Sequence, residues 1–68
     1  MNPSARPLTM RECEVISLIA KGYPNRRIAE TLGITSGTVQ RHVHNILEKL
    51  HMDNRTEAAR WATIHGLV

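Results

Sequence analysis

Polar side chains that donate and accept hydrogen bonds recur at helical spacing between Thr35 and Leu50. At about 100° per residue, the aliphatic residues of this stretch fall within about a third of the helix circumference. They are Val39, Val43, Ile46, Leu47 and Leu50. The residues opposite them are Gly37, Arg41, His44 and Glu48. We therefore predict an amphipathic helix over about residues 36–51 that packs on one side and offers a polar face to a large partner on the other.

The start of this helix is indicated by Thr35, because threonine is a favourable N-cap residue. Gly37 and Thr38 follow it and have short side chains. A large partner can therefore approach the N-terminal end of the helix closely.

The rest of the chain is short, and it must position this helix with a small hydrophobic core. The 68 residues are 41% hydrophobic and 22% charged, which indicates one small globular domain. A chain of this length buries only about 60% of its unfolded surface, which leaves little room for a large active-site cavity. Phe is absent and aromatic residues make up 3% of the chain, so the core must be built from Leu, Ile, Val and Ala. We predict an all-α domain.

The first helix is predicted over about residues 9–21. Thr9 and Glu12 have the spacing of a capping box, and Gly22 follows the last turn. Before this helix, residues 1–7 contain two prolines and no apolar periodicity, so a flexible tail is expected there. The predicted domain therefore spans residues 8–68.

A short second helix is predicted over about residues 26–32. Asn25 is placed as its N-cap, and Gly33 supplies a tight turn after it. Three residues then separate it from the helix that begins at residue 36. Two helices of these lengths with this turn are typical of a helix-turn-helix, whose second helix is presented to the DNA major groove.

The fourth helix is predicted over about residues 55–65, after a second capping box made by Asn54 and Glu57. The residues expected to face the core are Ala58, Trp61, Ala62 and His65. Ala59 and Thr63 form a separate strip of small side chains. Such a strip permits the close approach of a second copy, so it is the predicted dimerisation surface.

The positive charge of the chain is concentrated in its middle. The net charge is +3, and residues 21–47 account for all of it. The charged residues of this segment are Lys21, Arg26, Arg27, Glu30 and Arg41. This excess favours a polyanionic partner, although such a charge is common among small domains.

Other classes of function find no support in the residue pattern. Paired carboxylates in a predicted cleft, a glycine-rich phosphate loop and a nucleophile with a placed base are all missing, so we expect neither an enzyme nor a cofactor. The four histidines have no cysteine partners, and His42 and His44 point to different sides of their helix. No metal site is therefore expected.

Cysteine content and hydropathy indicate the compartment. Cys13 is the only cysteine, so no internal disulfide can form, as is typical of intracellular proteins. The longest apolar run, residues 15–20, is too short to cross a bilayer. We expect a cytoplasmic protein with no membrane partner.

Residues at fixed spacing along nearly the whole chain match one family pattern. They are Leu8-Thr9, Arg11-Glu12, Glu14-Val15, Ala20, Gly22, Asn25, Ile28-Ala29, Leu32, Ile34, Thr38-Val39, His42-Val43, Ile46, Lys49-Leu50, Arg55, Ala58, Ala62 and Gly66-Leu67. The chain therefore resembles the LuxR-type (NarL/GerE-like) DNA-binding domain. His42 favours this family over the helix-turn-helix of phage repressors, which usually has an aliphatic residue there.

The resemblance implies a four-helix transcription regulator whose third helix reads double-stranded DNA in the major groove and whose fourth commonly mediates dimerisation. The family's base-reading positions correspond to Gln40, Arg41 and His44. Gln can pair with adenine, Arg with guanine, and His with one acceptor of a purine. The family often has Lys where this chain has Gln40, and a polar or basic residue where it has Gly37. The DNA sequence that is read therefore stays open.

A second set of residues is expected to contact DNA phosphates. They are Thr35, Ser36, Thr38, Lys49 and Arg26. Thr38 and Lys49 lie on one flank of the third helix. At that place a side chain could either contact a phosphate or simply be solvated. His42 is expected to be a half-buried spacer or a phosphate contact rather than a base-reading residue.

Two functions remain at this point. The first is a sequence-specific, dimeric DNA-binding transcription regulator, which Gln40, Arg41 and the local charge excess favour. The second is a protein-interaction module that caps a related regulator as an anti-activator or heterodimer partner. Members of the family usually carry an upstream receiver or ligand-binding domain. The chain is therefore either a stand-alone regulator controlled by its abundance or a partner, or an excised domain of a longer protein.

Overall fold

Four α-helices and no strand make up residues 8–67, the part of the chain that the computed structural model describes. The helices are α1 (Met10–Ala20), α2 (Asn25–Leu32), α3 (Ser36–Lys49) and α4 (Arg55–Ile64). The all-α prediction is confirmed, and each helix end lies within two residues of its predicted position. The predicted tail, residues 1–7, lies outside the described residues, as does Val68.

The predicted capping box of α1 is present in full. The Thr9 hydroxyl accepts a hydrogen bond from the Glu12 backbone N–H at 3.1 Å. The Glu12 carboxylate in turn accepts one from the Thr9 N–H at 2.9 Å. Two of the N–H groups that a helix start leaves without partners are thereby satisfied, which explains the sharp beginning of α1.

The predicted N-cap of α2 is wrong. Asn25 is the first residue of the helix, and Pro24 holds the cap position with φ −73° and ψ 163° without donating or accepting a side-chain bond there. The extended backbone of proline suits a cap position. The Asn25 side chain is engaged elsewhere, since its Oδ1 accepts from the Arg55 guanidinium. Gly33 ends the helix in a tight turn, as predicted, and adopts the left-handed conformation with φ 71°.

The third helix begins as predicted and ends two residues early. Thr35 is its N-cap, and its hydroxyl accepts from the Thr38 N–H at 3.1 Å. The helix stops at Lys49 rather than at residue 51, because His51 adopts a left-handed backbone conformation with φ 56°. A right-handed helix cannot continue through such a residue.

The second capping box is only half formed. The Asn54 side chain accepts from the Glu57 N–H at 3.0 Å, as predicted. The Glu57 carboxylate accepts from the Asp53 N–H, one residue before the cap, also at 3.0 Å. At the other end of α4, Gly66 has φ 74° and follows the last turn.

The core is small and free of aromatic rings. Its buried apolar residues are Val15, Ile16, Ile19, Ile28, Ala29, Val39, Ile46, Ala58 and Ala62. Helix α1 packs against α4 and α3, and α2 packs mainly on α3. The leucines are half-buried at the edge of this cluster.

Two expected core positions lie further out. Trp61 is only half-buried, and His65 is exposed. His65 follows the last residue of α4, so its direction is no longer set by the helical period. Its ring stacks on that of Trp61 with the centroids 4.2 Å apart. Within residues 8–67, no helix combines the length and apolar character that crossing a bilayer would require.

Candidate nucleic-acid interface

The outer face of α3 is open to solvent along most of its length. Its exposed residues are Ser36, Gly37, Gln40, Arg41, His44 and Glu48. On the opposite side, Val39 and Ile46 are fully buried. The helix is therefore held by one side while the other is free to contact a partner.

The three predicted base-reading residues all lie on this open face. Gln40 and Arg41 are exposed in the second turn, and His44 is exposed one turn later. Residues three and four positions apart are neighbours on a helix surface, so Gln40 and Arg41 are each a neighbour of His44. The structure thus places the amide of Gln40 and the guanidinium of Arg41 in the N-terminal half of α3, with the imidazole of His44 one turn further along the same face.

The C-terminal half of the same face is electrostatically different. The His44 Nε2 lies 3.5 Å from Glu48 Oε2, and both side chains are about 70% exposed. A carboxylate at this position repels a phosphate backbone. The N-terminal half of the face is therefore the better place for a polyanion.

A pair of hydroxyl groups lies at the start of α3. The Thr35 hydroxyl accepts from the Thr38 N–H and donates to the Thr38 hydroxyl oxygen at 3.0 Å. A hydroxyl group has one proton to donate, and that of Thr38 is not used in this pair. Thr38 is thus equipped to donate a hydrogen bond to an acidic partner.

Gly37 leaves space beside these hydroxyls. A Cβ atom added there would meet only the Thr35 hydroxyl oxygen, at an ordinary contact distance of 3.9 Å. No internal packing therefore requires glycine at this position. The missing side chain opens the first turn of α3 to a close partner, as the sequence suggested.

Two exposed arginines lie in the first turn of α2. Arg26 was predicted as a phosphate contact and is exposed. Arg27 is exposed as well, and its guanidinium carbon lies 4.1 Å from the centre of the Tyr23 ring. A cation over an aromatic face is stabilised by the ring quadrupole. The sequence did not indicate this contact, because Tyr23 precedes α2 and the i, i+4 rule applies to pairs within one helix.

Lys49, another predicted phosphate contact, has an internal partner. Its ammonium group donates to Glu12 Oε1 at 2.7 Å, although the two residues are 37 positions apart. Burial by itself would raise the pKa of Glu12, but the hydrogen bonds from Lys49 and the Thr9 N–H, with the charges of Lys49 and His42, lower that pKa below its ordinary value. The ion pair joins the C-terminal end of α3 to the N-terminal end of α1.

The small-residue strip of α4 lies on the surface. Ala59 is half-buried, and the Thr63 hydroxyl donates to the Ala59 carbonyl at 3.0 Å. Together with Thr56, Arg60 and Ile64 they line a shallow groove of about 340 Å³. Ile64 is 74% exposed, which is unusual for a large aliphatic side chain.

Sequence comparison decides the family. Residues 6–62 match the family described as bacterial regulatory proteins, luxR family. The chain belongs to this LuxR family. It is 51% identical over 61 residues to the response regulator protein VraR of Staphylococcus aureus, and equally to VraR of Staphylococcus epidermidis and Staphylococcus saprophyticus. The match covers 90% of the chain and 29% of each relative, so the chain spans less than a third of their length.

The predicted LuxR-type resemblance is thus confirmed. The chain is a helix-turn-helix domain of the DNA-binding kind found in LuxR-family transcription regulators, which are regulators rather than enzymes. Helices α2 and α3 are the helix-turn-helix pair, and Gly33 lies in the turn between them. Among residues 8–67 of this LuxR-type domain, no three His, Cys, Asp or Glu side chains are grouped closely enough to hold a metal ion.

Proposed function

We propose that this LuxR-type domain reads double-stranded DNA sequence-specifically by inserting the open face of α3 into the major groove. The observation that carries the proposal is the exposure of Gln40, Arg41 and His44 on one face of a helix whose opposite side is anchored by the fully buried Val39 and Ile46. The major groove is about 12 Å wide and admits one α-helix. Arg41 contacts guanine, Gln40 contacts adenine, and His44 contacts one purine acceptor.

Phosphate contacts orient the domain on the duplex in this proposal. Thr35, Ser36 and Thr38 approach the backbone at the N-terminal end of α3, where the dipole of the helix favours an anion. Arg26 contacts the backbone from α2, the helix that crosses it. The unused Thr38 proton and the exposure of Arg26 support these roles.

Lys49 is proposed to share its ammonium group between Glu12 and a phosphate. Its side chain is 34% exposed, so one of its three protons can be offered outward while another stays on Glu12. Replacing Lys49 by Met should then lower the slope of log affinity against log salt by roughly one unit, as expected for one fewer neutralised phosphate. A slope equal to that of the unaltered protein would leave Lys49 with its internal role alone.

We further propose that two copies pair through the α4 strip formed by Ala59 and Thr63. The exposed Ile64 beside the strip supports this role, because pairing would cover its apolar surface. Two-fold pairing places the two α3 helices on half-sites about one turn, ~34 Å, apart.

Regulation is proposed to come from outside this chain. The VraR relatives are named response regulators, and the chain corresponds to 29% of their length. A regulatory domain in the same polypeptide, or a separate partner, would then control pairing of α4.

The test is a salt titration on two duplexes, one carrying a site selected from a random pool and one of random sequence. Replacing Arg41 by Ala should cost about 1–3 kcal/mol on the selected site and much less on the random duplex. Arg11, an exposed arginine on α1 paired with Glu14, provides the matched control. Its replacement by Ala should affect both duplexes slightly and equally, because Arg11 lies outside the proposed interface and its exposed pair with Glu14 contributes little.

Equal losses for the Arg41 variant on the two duplexes would show that Arg41 only positions the helix. Base reading would then fall to Gln40 and His44. If the unaltered protein bound no duplex even at low salt, the DNA-reading proposal would be wrong. A role as an interaction module for a related regulator would then be favoured.

A further inference from the structure

A single side chain links the start of α4 to the start of α2. The two terminal nitrogens of Arg55 donate to different acceptors, Nη1 to Asn25 Oδ1 and Nη2 to the Tyr23 carbonyl oxygen at 2.6 Å. These acceptors lie 30 and 32 residues earlier in the chain. Arg55 itself is half-buried. These two hydrogen bonds, called the Arg55 fork below, thus join elements that are far apart in sequence.

Helix α2 has few other means of holding its N-terminal end. It is eight residues long, and only Ile28 and Ala29 are buried. Both lie in its middle, whereas its first turn has no side-chain cap. The helix packs mainly on α3 and only slightly on α1. Besides the bond from the Tyr23 N–H to the Leu18 carbonyl at 3.1 Å, the Arg55 fork is therefore the principal polar link from the rest of the described domain to this end of α2.

The link does not come from favourable helix electrostatics. A positive charge at a helix N-terminus is opposed by the helix dipole. Arg26 and Arg27 are already present in this turn. The energetic benefit of Arg55 must therefore come from its two directed hydrogen bonds, which a planar guanidinium can make at fixed angles and an ammonium group cannot.

We propose that Arg55 is a positioning residue for DNA binding, which holds α2 at the angle that lets α3 enter the major groove. The inference rests on the proposed function of α3. Because α2 and α3 form one unit, a shift of the α2 N-terminus moves Arg26 and the turn at Gly33 with it. Arg55 acts without touching DNA, by fixing the Tyr23–Asn25 segment against α4.

The experiment compares Arg55→Lys, Arg55→Ala, Asn25→Ala and Arg60→Ala in the full chain. Arg60 is the matched control for amide exchange, since it is an exposed arginine on the same helix. Amide hydrogen exchange in the free protein should accelerate roughly tenfold at Ile28, whose N–H bonds to the Pro24 carbonyl at this end of α2, for both Arg55 variants, as expected for the loss of one or two hydrogen bonds. Exchange in α1 should change much less. Arg60→Ala should leave α2 exchange unaltered.

DNA binding by the same variants separates positioning from charge. Arg55→Lys keeps the charge but loses the fork, and should bind the selected site roughly tenfold more weakly with an unchanged salt slope. Asn25→Ala should weaken binding by a smaller factor, and should add nothing once Arg55 is replaced by Ala. This smaller change also serves as the test if the Arg55→Ala variant fails to fold.

Three results would overturn the inference. If Arg55→Lys bound the selected site as tightly as the unaltered protein, and Arg55→Ala lowered the salt slope of binding by one unit, Arg55 would be a phosphate contact. Equal acceleration of exchange in every helix would mean that Arg55 contributes only to global stability. Unchanged α2 exchange in both Arg55 variants would remove the positioning role outright. Failure of the unaltered protein to bind any duplex would instead refute the proposed function, and the exchange data would still decide whether Arg55 holds α2.

Discussion

Breaking the ion pair between Glu12 and Lys49 should cost very different amounts depending on which partner is replaced. The Glu12 side chain is 4% exposed and that of Lys49 is 34% exposed. When Lys49 is replaced by Met, the carboxylate stays buried, and the donor that remains to it among residues 8–67 is the Thr9 N–H. Removing one partner of a buried pair costs about 3–5 kcal/mol, and partial access of solvent at Lys49 reduces this to about 2–3 kcal/mol.

Replacing Glu12 by Gln should be milder. Glutamine retains the side-chain oxygen that the capping box requires at this position. The Lys49 ammonium group, no longer paired, can turn towards water because a third of its side chain is already exposed. The expected cost is about 1 kcal/mol, the size of one ordinary hydrogen bond.

Urea unfolding at pH 7 of both single variants and of the double variant measures these costs. A domain of 68 residues has a total stability of about 3–10 kcal/mol, so the Lys49→Met effect is a large share of it. The double variant should be less destabilised than the sum of the two singles, because Gln removes the unpaired charge that Met leaves behind. Equal and additive costs would refute the view that Glu12 is a buried charge held by Lys49.

Acid unfolding provides a second test of the Glu12–Lys49 ion pair. The pKa of Glu12 is lower in the folded protein than its ordinary value of 4.5. A carboxyl group with a lowered folded-state pKa adds stability above its unfolded pKa, and that stability is lost as the pH falls through the folded pKa. The unaltered protein should therefore lose stability from about pH 4.5 downwards, and the Glu12→Gln variant should lose less over the same range.

Two further changes test the surfaces of α3 and α4. Gly37→Ala should raise the melting temperature, since alanine in a helix is favoured over glycine by up to about 1 kcal/mol and no atom blocks the added methyl group. It should also weaken DNA binding, and unchanged affinity would argue against close approach at this turn. Ala59→Glu should prevent two copies from occupying a duplex with two half-sites, as measured by sedimentation. One copy of the unaltered protein per duplex at saturation would contradict pairing through α4.

Helix boundaries could be predicted where the signal is local. Thr9 with Glu12, Thr35 and Asn54 each satisfy an N–H group within three residues, so their roles follow from spacing alone. Asn25 had the same local signal, and the prediction was wrong because a partner 30 residues away engages its side chain. Competition between a local and a distant partner cannot be resolved from a single sequence.

The open face of α3 was predictable for a related reason. A helical period decides which residues lie opposite a buried stripe, and this placed Arg41 and His44 on the exposed side, whereas Gln40 was added by the family resemblance. The partner of Lys49 was not predictable, because the capping box already accounted for Glu12 and nothing in the spacing brings residues 12 and 49 together. Periodicity specifies which side of a helix is exposed, but tertiary contacts specify which exposed groups are free.

The composition of the core explains why directed polar contacts matter in this domain. The nine buried apolar residues within residues 8–67 are Ile, Val and Ala, whose burial is favourable but has no preferred direction. Such a core holds α3 against α1 and α2 without specifying their angles closely. Three polar contacts supply the missing direction, namely the Thr35 cap at the start of α3, the Lys49–Glu12 pair at its end and the Arg55 fork at the start of α2. Glu12 and Arg55, which contact no DNA in the proposed complex, should therefore influence recognition by α3, Glu12 through the C-terminal end of α3 and Arg55 through the start of α2.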